Sequence, residues 1–491
     1  MISNDSLLIA FSYAFIAVMA TLLIVPILRR RTDVLTAWNT FLIGAIIFTG
    51  VSGIRCANAP HYLPGYTGSD YSLYYLGTVI FYSITVLTYY FFKFPRRLAG
   101  ITLRNSPPLS GGILVVMVIL LMGIGVFQRV QVPIPGLAQL LFQFGVMTPF
   151  FALAIAFVAW YRSPSNLLLL VLLLFVGAAT LIGSLSLGGS RRYLISALAC
   201  PAIAYYWISL RYQPNRKIFT QTAIALAITM PIVLGYGLIR HASANTSAQG
   251  MQRGVAIVKA LPSAIRSGGT SEGLTGQDSV ECALLVIHML NDGSDRLEVD
   301  PLYSIKYILG NPIPRVLWPE KPVAIGATLP EVAGIKYTNA NLGINVAAQC
   351  YYDGGLWVHV LYGMLMGAFL RYFDELLIRQ AGNPLLIGAL VGMSAQLIGW
   401  PRGGIEVIGL QVVLAFIVMV LVNLGFRLIF GTGFTYPRTD HLLRYPAMRS
   451  PADWALWMQS FTAPATSARR YRDEDPNEPG IDAPPASQNV R

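Results

Sequence analysis

Residues 7–31 read LLIAFSYAFIAVMATLLIVPILRRR, a long apolar run closed by three arginines. A helix rises about 1.5 Å per residue, so a run of roughly 20 apolar residues crosses the roughly 30 Å of bilayer hydrocarbon. No basic region precedes this run and no small-residue cleavage site follows it, which reads as a retained first helix and not as a removable signal. Of the 491 residues, 55% are hydrophobic and only 12% charged, and the same pattern of apolar run and short arginine-bearing connection recurs along the chain. A polytopic, all-α membrane protein is the expected class. The net charge of +12 would suggest nucleic acid in a soluble chain. Here many arginines stand at the ends of apolar runs, where they anchor and orient spans, so no nucleic-acid partner is expected.

Eleven runs are long enough to cross, near 7–28, 37–54, 72–92, 111–127, 137–160, 165–187, 194–210, 218–239, 356–371, 384–400 and 405–430. Those at 37–54, 194–210 and 356–371 are short or interrupted. Positive charge falls in alternate connections, at Arg29–Arg31, at Lys93, Arg96, Arg97 and Arg104, at Arg162, at Arg211, Arg216 and Lys217, at Arg371 and Arg379, and at Arg427. The positive-inside rule puts these in the cytoplasm, with an outside N-terminus and an inside C-terminus. The expected organisation is therefore eight spans in 1–239, a large external loop at 240–355, three spans in 356–433 and a disordered cytoplasmic tail at 434–491, which ends in PNEPGIDAPPASQNVR. Within the loop, Val280–Leu290 is apolar but too short to span, so it folds back against the membrane or packs inside an external domain. No repeat suggestive of inverted halves is visible.

Three positions expected on the outer face break the charge trend: Gly188-Gly189-Ser190-Arg191-Arg192-Tyr193, the loop stretch Asn311–Pro322 with Arg315 and Lys321, and Trp400-Pro401-Arg402-Gly403-Gly404 with Glu406 soon after. Any one arginine reads most plainly as an interfacial anchor. As a set, two of the three beside glycines that let backbone approach a ligand, they suit an anion at the membrane surface, and a lipid diphosphate fits best. Trp318, Tyr337, Tyr351, Tyr352 and Trp357 offer faces for sugar rings or an interfacial aromatic belt. NPIPRVLWPEKP, residues 311–322, carries four prolines that hold its backbone near extended geometry and preset its charges. Five histidines and the scattered Cys56, Cys200, Cys282 and Cys350 show no metal-ligand spacing, so no metal is expected, and nothing local pairs Cys282 with Cys350.

The stretch NPIPRVLWPEKP resembles the PR-x-x-W-P-x-K-P signature of the Wzy-type O-antigen and exopolysaccharide polymerases, the bacterial oligosaccharide repeat-unit polymerase family. Gly189-Ser190-Arg191 is similar to that family's arginine turn ahead of a membrane helix, Tyr352-Asp353-Gly354-Gly355 to the pattern before the helix that follows its large loop, and Arg402-Gly403-Gly404 to its late arginine-glycine turn. Where the family often has an acid two residues after that arginine, Gly404 stands here, and Glu406 lies two further on. The resemblance implies a GT-C-like inner-membrane glycosyltransferase. It would polymerise undecaprenyl-diphosphate-linked repeat units at the periplasmic face without metal or cofactor, alongside a flippase and a chain-length regulator.

On that resemblance, Arg191, Arg315 and Arg402 contact the diphosphate, with Arg192 and Lys321 as second choices, and Trp318 and Tyr352 line the substrate path. Asp353, Glu331, Glu406 and His288 are the candidate acids and bases, each with a duller reading as a solvated surface group. O-antigen ligation uses the same donor and would look alike, although the proline-arginine-tryptophan motif favours polymerisation. A polysaccharide or lipid transporter would need a polar route through the bundle, and few charges lie at mid-span. Other GT-C enzymes place an acidic pair in the first external loop, whereas the 55–71 connection offers only Asp70.

Overall fold

The computed structural model describes residues 3–29, 32–58, 65–102, 111–127, 135–186, 191–242, 259, 279–292, 297–311, 313, 317–334 and 342–430. Every regular element among them is a helix. Eight are long and apolar enough to cross a bilayer: Asn4–Leu28, Ala37–Asn58, Gly68–Phe91, Phe144–Arg162, Leu167–Ser184, Leu356–Arg379, Pro384–Arg402 and Ile405–Gly425. The chain is a multi-pass membrane protein. The other three expected crossings coincide with helices Gly111–Phe127, Arg191–Ile208 and Asn215–Ala242. The expected tail at 434–491 lies outside the described residues.

Helix ends explain much of the assembly. Thr36 caps the second crossing through the Asn39 N–H, Thr67 and Asp70 form a capping box on the third, and Asn383 caps the tenth expected crossing with Pro384 in its first turn. Asp374 accepts the N–H groups of Ala37 at 2.7 Å and Trp38 at 3.2 Å and the Tyr89 hydroxyl at 2.8 Å, so one carboxylate ties three helices together. Nearby, Arg211 and Asp33 form a buried ion pair at 3.0 Å that the Tyr206 hydroxyl joins. After Phe91 a short helix, Phe94–Thr102, exposes Phe94, Leu98 and Arg97, the mixture that settles at a membrane–water interface.

Gly363 and Gly367, one turn apart, set Leu356–Arg379 against Gly68–Phe91. A methyl group added at Gly367 would come within 2.5 Å of the Thr85 carbonyl oxygen, and one at Gly363 within 2.8 Å of that of Phe81. Small residues at this spacing let helix backbones touch where lipid gives no hydrophobic drive.

The 240–355 segment is not wholly outside this bundle. Helix Ser279–Asn291 is buried on all sides from Val280 to Ile287, packed among Leu8, Cys56, Tyr71 and Tyr74 of the first three crossings. Its N-terminal end reaches the π-helical turn Ile46–Val51, where the Ser279 hydroxyl donates to the Phe48 carbonyl at 2.5 Å and Ser52 caps the Val280 N–H. The Asn345 amide donates to the same carbonyl at 3.2 Å, which brings helix Asn345–Tyr352 to that point as well. All four cysteines are buried and none is in a disulfide.

Two outcomes follow from this packing. With the native thiols buried, Arg97→Cys and Glu331→Cys should react with a membrane-impermeant maleimide from opposite sides of sealed vesicles; labelling from one side would overturn the expected orientation. Gly367→Val should lose folded, monodisperse protein in detergent, since overpacking a close backbone contact costs about 1–3 kcal/mol or more.

Candidate functional site

The helix Pro384–Gly399 runs into a single 3-10 turn, Trp400–Arg402, and the chain then reverses through Gly403 at φ 93° and Gly404 at φ 78°. Two consecutive left-handed residues require glycine. Gly403 also lies so close to Asn345 that a Cβ would sit 2.5 Å from its backbone nitrogen, and the Gly404 N–H donates to Gln349 Oε1 at 3.2 Å. The half-buried Arg402 side chain lies over Gly343, where an added Cβ would meet its Cγ and Nε at 2.5 Å. The late arginine turn is thus fastened along the start of helix Asn345–Tyr352.

Arg192 arrives at the same end of the bundle. Its Nη1 donates to Gln396 Oε1 at 3.0 Å and its stem lies 3.6 Å from a Cβ built at Gly399. Arg191 opens helix Arg191–Ile208, but its side chain lies outside the described residues, as does all of Arg315.

The proline-rich stretch is closed on itself by Lys321. That ammonium, expected to meet substrate, is buried and donates to the Asn311 carbonyl at 2.5 Å and the Ile313 carbonyl at 3.1 Å, so its charge is turned into the loop it belongs to. Buried cations need such partners, and a lysine stem is long enough to reach them. Trp318 packs onto Gly310, at 2.5 Å from a Cβ built there, so it braces the end of helix Tyr303–Gly310. That helix rests on the last crossing, with Ile308 against Gly409, and the Tyr303 hydroxyl donates to the Val323 carbonyl.

Asp353 sits between these parts. Its Oδ2 accepts the Ser304 N–H at 3.0 Å and the Tyr362 hydroxyl at 2.6 Å, and Gln349 Nε2 approaches Oδ1 at 3.4 Å. Gln349 also donates to the Ser304 hydroxyl, so one amide joins the carboxylate to the Gly404 turn. Tyr352 packs edge-on against Tyr303, with ring centroids 5.3 Å apart. Glu406, in the first turn of the last crossing, is buried close to Asp353, and the Ile325 N–H faces its carboxylate. Glu331 stays apart, exposed on helix Ile325–Val332 and outside the hydrogen bonds named here.

Gln349, Ser304, Asn345 and Tyr362 complete the cluster without having been singled out in the sequence. Asn345 and Gln349 carried a signal, two amides at i, i+4 in the otherwise apolar NVAAQCYY. His288 belongs to a different group, in which its Nδ1 lies 2.9 Å from Asp70 while Asn291 bridges Asp70 to Tyr351. Among the described residues no group of three or more His, Cys, Asp or Glu side chains is arranged to hold a metal ion. No protein-family model matches this sequence, and no curated protein or solved structure matches it.

Burial pushes the Asp353 carboxyl above its ordinary value of 3.8, against the Tyr362, Ser304 and Gln349 donors that pull it down. The folded protein therefore keeps a proton that the unfolded chain has already lost. This contribution to stability is full below the ordinary value and is lost as pH rises through the folded one. Asp353→Asn does not titrate, so its melting temperature relative to the parent protein should climb as pH is raised from about 4 toward neutrality. A constant difference across that range would show that Asp353 is not held protonated by its surroundings.

Proposed function

We propose that this chain is a Wzy-type polymerase of the inner membrane, with eleven spans and a GT-C-like arrangement. In this reading it transfers a growing glycan from undecaprenyl diphosphate to the non-reducing end of a newly flipped, lipid-linked repeat unit at the periplasmic face. The observation that carries the proposal is the meeting, at one end of the bundle, of segments far apart in sequence: the Arg402 turn, Arg192, the Asp353 turn and the continuation of the proline-rich stretch at Val323–Ile325. These segments hold or adjoin the residues that resemble the family's motifs.

The chemistry asks for two things from such a place. The departing diphosphate carries the electrons of the broken glycosidic bond, and guanidinium groups stabilise it with paired, charge-assisted hydrogen bonds. Arg402, laid over Gly343, reaches it from a turn whose glycines admit close approach, with Arg192, Arg191 and Arg315 as the further cations. The acceptor hydroxyl must lose its proton as it attacks, which calls for a carboxylate or an imidazole. Trp318 and Tyr352 would flank the sugars, although both also brace the helices that carry them. A flippase and a chain-length regulator are the partners this role implies.

Cells lacking the chain should accumulate lipid-linked single repeats and lose the glycan ladder, and the gene supplied in trans should restore it. Arg402→Ala should leave at most a few per cent of the polymer at normal membrane level, and Arg402→Lys a partial ladder, since lysine keeps the charge but not the planar fork. Arg97→Ala, on the exposed face of the short helix after Phe91, should behave as the parent. Long polymer left on its lipid carrier and missing from lipid A core would instead identify a ligase, and a normal ladder from Arg402→Ala would overturn the site.

A further inference from the structure

We propose that Glu406 is the general base of the transfer reaction, its Oε2 taking the proton of the attacking acceptor hydroxyl; this rests on the polymerase reading above. Glu406 is 1% exposed, and its Oε2 is buried with no hydrogen-bonding partner among the described residues. A carboxylate oxygen shut away from water with nothing to accept from is costly, and such atoms are retained where a ligand or a reaction uses them.

Its position fits that use. Glu406 follows Arg402 by four residues, the Ile325 N–H that faces it follows Pro322 of the proline-rich stretch by three, and Asp353 lies beside it. Glu406 therefore lies close to all three segments of the site. Beside it the turn is open: Gly404 is half-buried, and a Cβ added there would meet nothing within 4 Å. A sugar hydroxyl brought in next to Gly404 would stand two residues from the carboxylate.

Glu406 lies in the first turn of Ile405–Phe430, and the first residue of Ile325–Val332 points its N–H at the same group, so the positive ends of two helices face one carboxylate. Asp353, Tyr303 and Tyr352 are the titratable groups close to it from the other elements, and Arg402 is the cation on its own turn. The rivals are placed less well. Asp353 already receives Ser304, Tyr362 and Gln349, His288 is held by Asp70, and Glu331 is exposed.

The step balances without a further reactant. The acceptor oxygen forms a bond to the anomeric carbon, the bond from that carbon to the diphosphate oxygen breaks, and its electron pair leaves with the diphosphate. The hydroxyl proton passes to Glu406 Oε2, from which the departing diphosphate removes it.

The test uses the full-length protein in lipid vesicles with the lipid-linked repeat extracted from cells deleted for the gene. The parent protein should polymerise it, with a rate that falls on the acid side as the base takes up a proton. Failure of the parent would sink the polymerase reading itself and not the choice of base. Glu406→Gln, equal in shape, should bind undecaprenyl diphosphate within about threefold of the parent yet turn over about 100-fold or more slowly, and should lose the acid limb. Glu406→Asp should retain partial turnover with an acid limb, which covers the case in which the glutamine variant does not insert. Parent-like turnover by Glu406→Gln, or an unchanged acid limb in it, would overturn the assignment, as would an aspartate variant without that limb.

Discussion

The Phe48 carbonyl is the point on which the interior depends. Within a bilayer every backbone polar group has to be satisfied by protein, so a helix that begins inside a bundle brings unpaired N–H groups that need partners. Two helices do this here. Ser279 and Asn345 both donate to Phe48, while Ser52 accepts from Val280 and the Asn345 side chain accepts from Ala347. The π-helical turn Ile46–Val51 shifts the hydrogen-bond ladder of the second crossing by one residue at this level, and turns of this kind are frequent at functional sites. Without that junction neither short helix would have a place to start, and Gly403 would have no Asn345 backbone to lie against.

Most crossings were legible because lipid imposes a length and a composition that show directly in the chain. Leu7–Leu28 became Asn4–Leu28, and 72–92 became Gly68–Phe91, with the extra residues supplied by a cap that the serine and threonine positions explain. Where Ser279–Asn291 packs was left open for the same reason. A run that short fails the length test for spanning, and being buried on all sides it shows no polar face that would say what it packs against.

The site was legible in its backbone devices and not in its side-chain pairings. Arg402-Gly403-Gly404 announced a sharp turn beside a cation, and the structure has that turn. What the sequence could not convey is where long side chains end. Lys321 closes its own loop, and Asp353 serves as a partner for Ser304 at the start of another helix, because each reaches groups many residues away. Glu406 was one candidate beside Asp353, Glu331 and His288 until burial separated it from Glu331 and the Asp70 contact claimed His288.

The contact through Gly363 and Gly367 also bears on how the protein meets its lipid. Gly68–Phe91 and Leu356–Arg379 are 24 residues each, about 36 Å of helix against roughly 30 Å of hydrocarbon. A pair of rods too long for the slab leans, and because their backbones touch they lean as one. Tyr362 rides on the second rod and holds Asp353. Membrane thickness thereby bears on the polar cluster: a thinner bilayer that tips the pair further acts on Asp353 through Tyr362, and on the Arg402 turn through the Gln349 amide that joins the two.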